Sequence, residues 1–402
     1  MYFTRYLRSQ RQSLAHIVDH YAQYPPTGLT IKRIIDFARD GDARQSFIFL
    51  RNELPVRLAS MMKEMGHLPA RLLEMPSIKT VNGWYGTSLF ELYSFKDLQP
   101  TNETVRKFTE ILQNIRKRHR TVIETVAQGY MEFSDSGKVK EYEESQIQYF
   151  LNRFYLSRIS IRLLIYQHTM CFGDEVPEHP AHLGFIDPHC YVQDSIKDAF
   201  ENAQFLCEGY YLKSPSLEIR SINTISPDEP ICIAYVPSHL YHIMFELFKN
   251  SMRATVEYAE SRKESNTLPP IIVCCCFFND SSQLILFLNT SDRGGGIPRS
   301  KVDKIFRYMY STAPRPVSLT DSQHSGPVPL AGFGYGLPIS RLYARYFNGD
   351  MEIHSIDGYG TDAYVYLQTV EDQASEWLPI CNRAAYEYYT SRRYQSDWTK
   401  KK

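Results

Sequence analysis

Four polar side chains on an otherwise apolar stretch are where this chain could do chemistry. His242, Glu246 and Asn250 recur every four residues and Arg253 follows three later, so a helix over 238–258 would carry all four on one face. Ile243, Met244, Phe245, Leu247, Phe248 and Met252 would bury most of that helix. A stripe of His, Glu and Asn beside them is costly unless polar partners meet it. A divalent cation with phosphate oxygens would do so, Asn250 giving an oxygen ligand and Glu246 accepting a proton. An ordinary solvated helix face would carry the same stripe.

Two glycine-rich segments follow. The hairpin IIVCCCFFNDSSQLILFLNT turns at Asn279–Ser282 and runs into Ser291-Asp292-Arg293-Gly294-Gly295-Gly296-Ile297-Pro298. Three glycines after a strand let backbone approach a ligand closely. Asp292 at the strand end can accept a hydrogen bond from an exocyclic amine such as that of adenine; alone, these residues could equally form a tight turn. The second segment contains Gly332, Phe333, Gly334, Tyr335, Gly336 and Leu337 and leads into a helix over 339–347. Its backbone N–H groups and the helix dipole suit polyphosphate. No strand precedes it and no Walker lysine accompanies it, so the Rossmann and P-loop patterns both fail. The glycine loop, strand lysine, H-R-D and D-F-G set of protein kinases is missing as well. Between the segments, Val317 to Val328 is Ser-rich and suits a lid that orders on nucleotide binding.

The elements that must hold these residues fall into two halves. From Ile31 to about His168 the apolar spacing is heptad-like, with short breaks at Gly66–Pro69, Leu98–Asn102 and Ser134–Gly137, the pattern of antiparallel helices in an up-down bundle. FGDEVPEHPAHLGFIDPHC lacks periodicity and marks a boundary. Beyond it, strands are expected at 231–234, 271–278, 284–289, 351–355 and 361–368, with helices over 194–208, 238–258 and 337–347. Such mixing reads as an α+β layer.

Composition limits the alternatives. The 402 residues suffice for two or three domains. Forty-five basic residues balance forty-five acidic ones, so no net field favours nucleic acid or an anionic membrane. No apolar run approaches the roughly 18 residues that cross a bilayer. The eight cysteines show no Cys-x-x-Cys pair or zinc spacing and read as reduced thiols, Cys274 to Cys276 packing in a strand. Arg5, Arg8 and Arg11, with no acid before Asp19, fit a transit segment over 1–18.

The order E-x-x-x-N on a helix, D-x-G-G-G, G-x-G-x-G before a helix, then Gly360-Thr361-Asp362 resembles the N, G1 and G2 boxes of the GHKL superfamily. FELFKNSMRATVEYAE, SDRGGGIPRSKVDKIFRYMYSTAPRP, PLAGFGYGLPISRLYARYFNGDMEIHSIDGYGTDAYVY, SFIFLRNELPVRLASMMKEM, RFYLSRISIRLLIYQHTM and Asp397-Trp398 look like mitochondrial pyruvate dehydrogenase kinases. That resemblance spans roughly residues 19 to 398. It implies an α+β fold: an N-terminal up-down four-helix bundle over 19–178, a GHKL (Bergerat) α/β sandwich over 179–370 that binds nucleotide, and a tail over 371–402.

The same resemblance implies an ATP-dependent serine kinase of the mitochondrial matrix, acting on and inactivating the decarboxylase (alpha) subunit of the pyruvate dehydrogenase complex. ATP and Mg2+ are its implied cofactors, with K+ as an accessory ion. Glu246 would be the general base, oriented by His242, and Asn250 would hold magnesium. Asp292 would read the adenine amine with Thr361 near the same edge, and Arg253, Gly294 and Gly296 would line the nucleotide. Gly332, Phe333, Gly334, Tyr335, Gly336 and Leu337 would cradle phosphates, with Ser311 and Thr312 at the lid hinge.

A histidine kinase needs a phosphoacceptor His beside an acid, and the bundle candidate, His119, is followed by Arg120 and Thr121. The resemblance instead places His119 with Tyr85, Arg116, Ser157 and Arg158 in a regulatory pocket for small carboxylates. The bland alternative is His119 and Arg158 pairing inside the bundle. Implied partners are the lipoyl domain of dihydrolipoamide acetyltransferase, engaged through the bundle end and the Asp397-Trp398 tail motif, and a second copy of the chain. Nucleic acid and membrane insertion are not expected. The sequence departs from the family where Thr399 and three lysines follow Trp398. Rival readings are a branched-chain ketoacid dehydrogenase kinase, against which YMYSTAPRP and GFGYGLPISRLYARYF speak, and a nucleotide-sensing scaffold, against which the joint presence of Glu246 and Asn250 speaks.

Overall fold

Capping begins the helical half. Asp42 accepts from the Gln45 backbone N–H at 2.8 Å while the Gln45 side chain accepts from Asp42, a capping box that starts the helix Ala43–Met65. Thr101 caps the helix Asn102–Arg118 by accepting from the Thr104 backbone N–H. With Pro76–Tyr93 and Glu141–Phe172 these helices close a ring of contacts: Ala43–Met65 touches Glu141–Phe172 and Pro76–Tyr93, and Asn102–Arg118 touches the same two. Val122–Asp135 packs on Pro76–Tyr93. Phe47, Phe95 and Phe108 meet edge to face in the core, with Phe47 and Phe108 centroids 5.0 Å apart.

The computed structural model describes residues 14–173, 182–263, 267–280, 283–312 and 334–390. The expected transit segment lies largely outside that range, as do Gly332, Phe333, the Ser-rich 317–328 loop, Asp397 and Trp398. Among the described residues no helix is long and apolar enough to cross a membrane.

His168 is the polar centre of the helical core. Thr109 Oγ1 donates to the Val105 carbonyl at 3.0 Å and lies 2.9 Å from His168 Nε2, so it accepts the Nε2 proton. Nδ1 then accepts from the Ser46 hydroxyl at 2.7 Å. Burial holds both His168 and His119 down to about 4. The unfolded chain takes a proton on each near pH 6.5, roughly the free imidazole value, which the folded protein refuses until much lower pH. Stability is therefore present above that window and is lost as pH falls through it. At pH 5 each histidine should have cost about 2 kcal/mol relative to pH 7. Urea midpoints at the two pH values measure this; a His168→Gln variant should flatten the dependence, and equal midpoints for the parent chain would contradict it.

The second half is built on a five-stranded sheet, ordered β2 (Leu217–Asn223), β4 (Ile271–Asp280), β5 (Gln283–Ser291), β7 (Gly360–Gln368), β6 (Asp350–Ile356). β2 and β4 are parallel and the other pairs antiparallel. Period-2 alternation sends Val273, Cys275, Leu286, Leu288, Val365 and Leu367 to a buried face. On the other face Phe287 meets Tyr364 and Tyr366. Cys275 is buried between the half-covered Cys274 and Cys276, and all eight cysteines are free thiols. Helices Val192–Tyr211, Pro237–Ser261 and Gly336–Tyr346 pack together, the last also against β6 and β7. A separate pair joins β1 (Asp187–Tyr191) to β3 (Cys232–Tyr235).

Two strands depart from the expected set. β1 lies in the Pro- and His-rich boundary segment, and β2 is a half-exposed edge whose LEIRSIN text has too little apolar alternation to read as a strand. The division of the chain also differs from a simple cut: one unit is Met1–Thr27, Asp40–Val176 and Leu378–Lys402, the other Gly28–Arg39 and Pro177–Trp377. Backbone pairing is the reason for the first exchange. Ile31 N–H donates to Ala374 O at 2.9 Å and Glu376 N–H to Leu29 O at 2.8 Å, tying residues 29–31 to 374–376. The later part of the expected tail joins the helical unit through Arg153 donating to Ile380 O at 2.7 Å and Tyr149 stacked on Tyr388.

Candidate active site

The helix Pro237–Ser261 opens with proline in its first turn, where the missing N–H costs nothing. Ile243, Met244, Leu247, Phe248, Met252 and Val256 are buried along one side. The opposite side presents Glu246, Asn250 and Arg253 to a cleft of about 510 Å³. Gly294, Gly295 and Gly296 form one wall; Gly334, Gly336 and Leu337 form another, with Ser311 and Thr312 at the rim. The structure thus brings the three polar residues of one helix face together with both glycine segments.

Close approach requires two of these glycines. Gly296 has φ 72°, and a methyl there would run into the Ile356 carbonyl. At Gly336 a methyl would overlap the Glu246 carboxylate. The carboxylate therefore lies against the N-terminus of the Gly336–Tyr346 helix, the positive end of its dipole. Its other oxygen, Oε1, is 2.7 Å from Lys249 Nζ. Arg253 is held by Glu257 at 2.8 Å.

Asp292 follows β5 directly and is buried. Its Oδ1 accepts from the backbone N–H groups of Gly294 at 2.9 Å and Thr361 at 3.2 Å. Burial raises its pKa, while hydrogen bonds from Gly294, Ser251 and Thr361 pull it back. Asp292 N–H also donates to Thr361 O at 2.9 Å, so Asp292 and Thr361 form one unit behind the glycine wall. Neither residue lines the open cleft, nor does Tyr335, which stands at the N-cap position of the Gly336–Tyr346 helix and is buried against Tyr308.

His242 departs from its expected role. No hydrogen bond joins it to Glu246; its buried Nε2 has no partner and its ring rests 5.0 Å from Tyr343. Desolvation lowers its pKa despite the nearby Glu246 charge. Lys249 fills the place expected for His242, on the i,i+3 spacing from Glu246 that could have revealed it. Ser251 and Tyr258, whose hydroxyl donates to Gly358 O at 2.8 Å, are further contributors that the reading of the sequence missed.

In the helical unit, Tyr85 and His119 pack with centroids 4.4 Å apart, and Arg158 Nη2 donates to His119 O at 3.3 Å. All three are buried, as is Ser157. The Tyr85 hydroxyl and Arg158 Nε have no partner. His119 Nε2 lies 3.0 Å from Ser88 Oγ. Arg116 is directed elsewhere, to Thr169 Oγ1 at 3.4 Å and over the Tyr166 ring.

A carboxylate and an amide one helical turn apart, facing two glycine walls beside a mostly antiparallel sheet, define an ATP-binding domain of the GHKL class. Residues 235–371 match the family model described as histidine kinase-, DNA gyrase B- and HSP90-like ATPase. Residues 28–187 match the model described as mitochondrial branched-chain alpha-ketoacid dehydrogenase kinase. Among curated relatives, the mitochondrial pyruvate dehydrogenase (acetyl-transferring) kinase of Ascaris suum is 47% identical over 99% of this chain and 97% of its own length. Isozyme 1 of Rattus norvegicus is 48% identical over 95% of this chain and 86% of its own. The Drosophila melanogaster kinase is 47% identical over 97% and 93%. The chain belongs to the family of mitochondrial pyruvate dehydrogenase kinases.

Proposed function

We propose that this chain transfers the γ-phosphate of ATP to serine on the decarboxylase (alpha) subunit of the pyruvate dehydrogenase complex and so inactivates it. The observation that carries the reading is Glu246 and Asn250 side by side in a cleft bounded by both glycine segments. Magnesium fits these residues. Asn250 offers an amide oxygen at the cleft wall, and no group of three His, Cys, Asp or Glu among the described residues could hold a metal without the nucleotide. That suits a hard ion arriving with its phosphates. When bound, it neutralises phosphate charge.

The chain's own groups do the rest. Asp292 accepts from the adenine amine with Thr361 beside it, and the glycine walls give backbone N–H donors to phosphate oxygens. Glu246 takes the serine proton as the oxygen–phosphorus bond forms and the bond to the bridging oxygen breaks, ADP leaving with the electron pair. Arg253 is held at the rim by Glu257.

The helical unit is read as an up-down four-helix bundle, supported by its closed ring of contacts. The unpartnered Tyr85 hydroxyl and Arg158 Nε support a site for a small carboxylate, with Arg158 as the cation and His119 neutral at physiological pH. Residence in the mitochondrial matrix, potassium as an accessory ion, docking on a lipoyl domain through Asp397 and Trp398, and a homodimer belong to the same reading.

Purified chain mixed with labelled ATP and either the pyruvate or the branched-chain dehydrogenase complex tests it. Label should enter a serine of the pyruvate decarboxylase subunit. Label confined to the branched-chain complex, or to neither, would overturn the proposal.

A further inference from the structure

The base of the proposed transfer has a partner outside the cleft. Lys249 Nζ stands 2.7 Å from Glu246 Oε1, and the two side chains are only 13% and 16% exposed. The ammonium also rests 4.8 Å from the centroid of the Phe245 ring, a second favourable surface for a cation. Such a pair, withdrawn from water on both sides, is far less screened than an exposed one.

The carboxylate is thereby divided. Oε1 is occupied by Lys249, while Oε2 lies against Gly336 at the N-terminus of the following helix. Glu246 lines the cleft and Lys249 does not. His242, one turn before the carboxylate on this helix, makes no hydrogen bond to it. Among the described residues, Lys249, His242 and the positive end of the Gly336–Tyr346 helix face Glu246, and Lys249 pairs with it directly.

We infer that Lys249 is the positioning residue of the Glu246 base: it fixes one carboxylate oxygen and leaves the other to receive the substrate proton. The inference rests on the kinase reading above. The ion pair fixes the angle of approach, since one oxygen can no longer rotate into the cleft.

Two neutral replacements separate charge from position. Lys249→Met removes both; Lys249→Gln keeps a hydrogen-bond donor without the charge. Calorimetric ATP affinity should stay near that of the parent chain in both, which also certifies that they fold. In Lys249→Met, kcat should fall by about 10- to 100-fold, less than loss of the base itself, with KM for the protein substrate unchanged. Lys249→Gln should retain more of kcat than Lys249→Met.

Beside a parent chain that transfers phosphate, an unchanged kcat in Lys249→Met, or a Lys249→Gln no faster than Lys249→Met, would overturn the inference. A parent chain that transfers nothing would overturn the kinase reading instead.

Discussion

Glu246→Gln should lower the phosphate-transfer rate by about 10²- to 10⁴-fold, the usual worth of a general base, while leaving ATP affinity near that of the parent chain. The amide is nearly isosteric, and its oxygen can still accept from Lys249, now 2.7 Å from Oε1. It has no lone pair basic enough to take a serine proton. The loss belongs in kcat, because the proton moves only in the transition state. Single-turnover transfer and calorimetric ATP binding read the two halves separately. Full rate in this variant would remove Glu246 from the role of base; loss of ATP binding in step with rate would make it a structural residue.

Asp292→Ala should weaken ATP binding by about 10- to 100-fold, the range set by losing one hydrogen bond to a charged group. Its Oδ1 also holds the N–H groups of Gly294 and Thr361, so the alanine variant disturbs the glycine wall as well. Asp292→Asn distinguishes these effects. An amide oxygen can keep the two backbone bonds, but its NH₂ then meets the adenine amine donor to donor, so affinity should fall while stability is largely kept. Acidity supplies a second reading. Burial raises the Asp292 pKa, so its acceptor is lost on acidification sooner than for an ordinary carboxylate near pH 3.9 or so. ATP affinity should fall as pH drops through that raised value and should lose this dependence in Asp292→Asn. Titration calorimetry across the acid range would contradict the assignment if the two proteins behaved alike.

The parts of this molecule that local chemistry specifies are the parts its sequence discloses. The helix Pro237–Ser261 is marked by its apolar period, and the polar stripe on its other side is what lines the cleft. The β4–β5 hairpin is marked by its polar turn, and Asp292 by its place at a strand end before three glycines. What stays hidden depends on partners far away in sequence. The pairing of Leu29 with Glu376 joins residues 347 positions apart, and nothing local in either segment announces it. β2 is a strand because β4 offers a parallel edge, with little support from its own half-exposed residues.

Side-chain orientation is the other limit. His242 and Lys249 both lie within a turn of Glu246, and spacing alone leaves either able to meet it. Burial decides between them, since the His242 ring is drawn toward Tyr343 and its Nε2 is left unpartnered. Arg116 shows the same limit in the helical unit, where its contacts include Thr169 and Tyr166 while Tyr85, His119 and Arg158 gather among themselves.

The central claim concerns where the γ-phosphate sits. A crystal structure with magnesium and a non-hydrolysable ATP analogue should place the Asn250 amide oxygen in the metal's coordination shell and Glu246 Oε2 facing the γ-phosphate, with the adenine amine on Asp292. Triphosphate bound elsewhere, or Glu246 and Asn250 both turned away from it, would contradict the account.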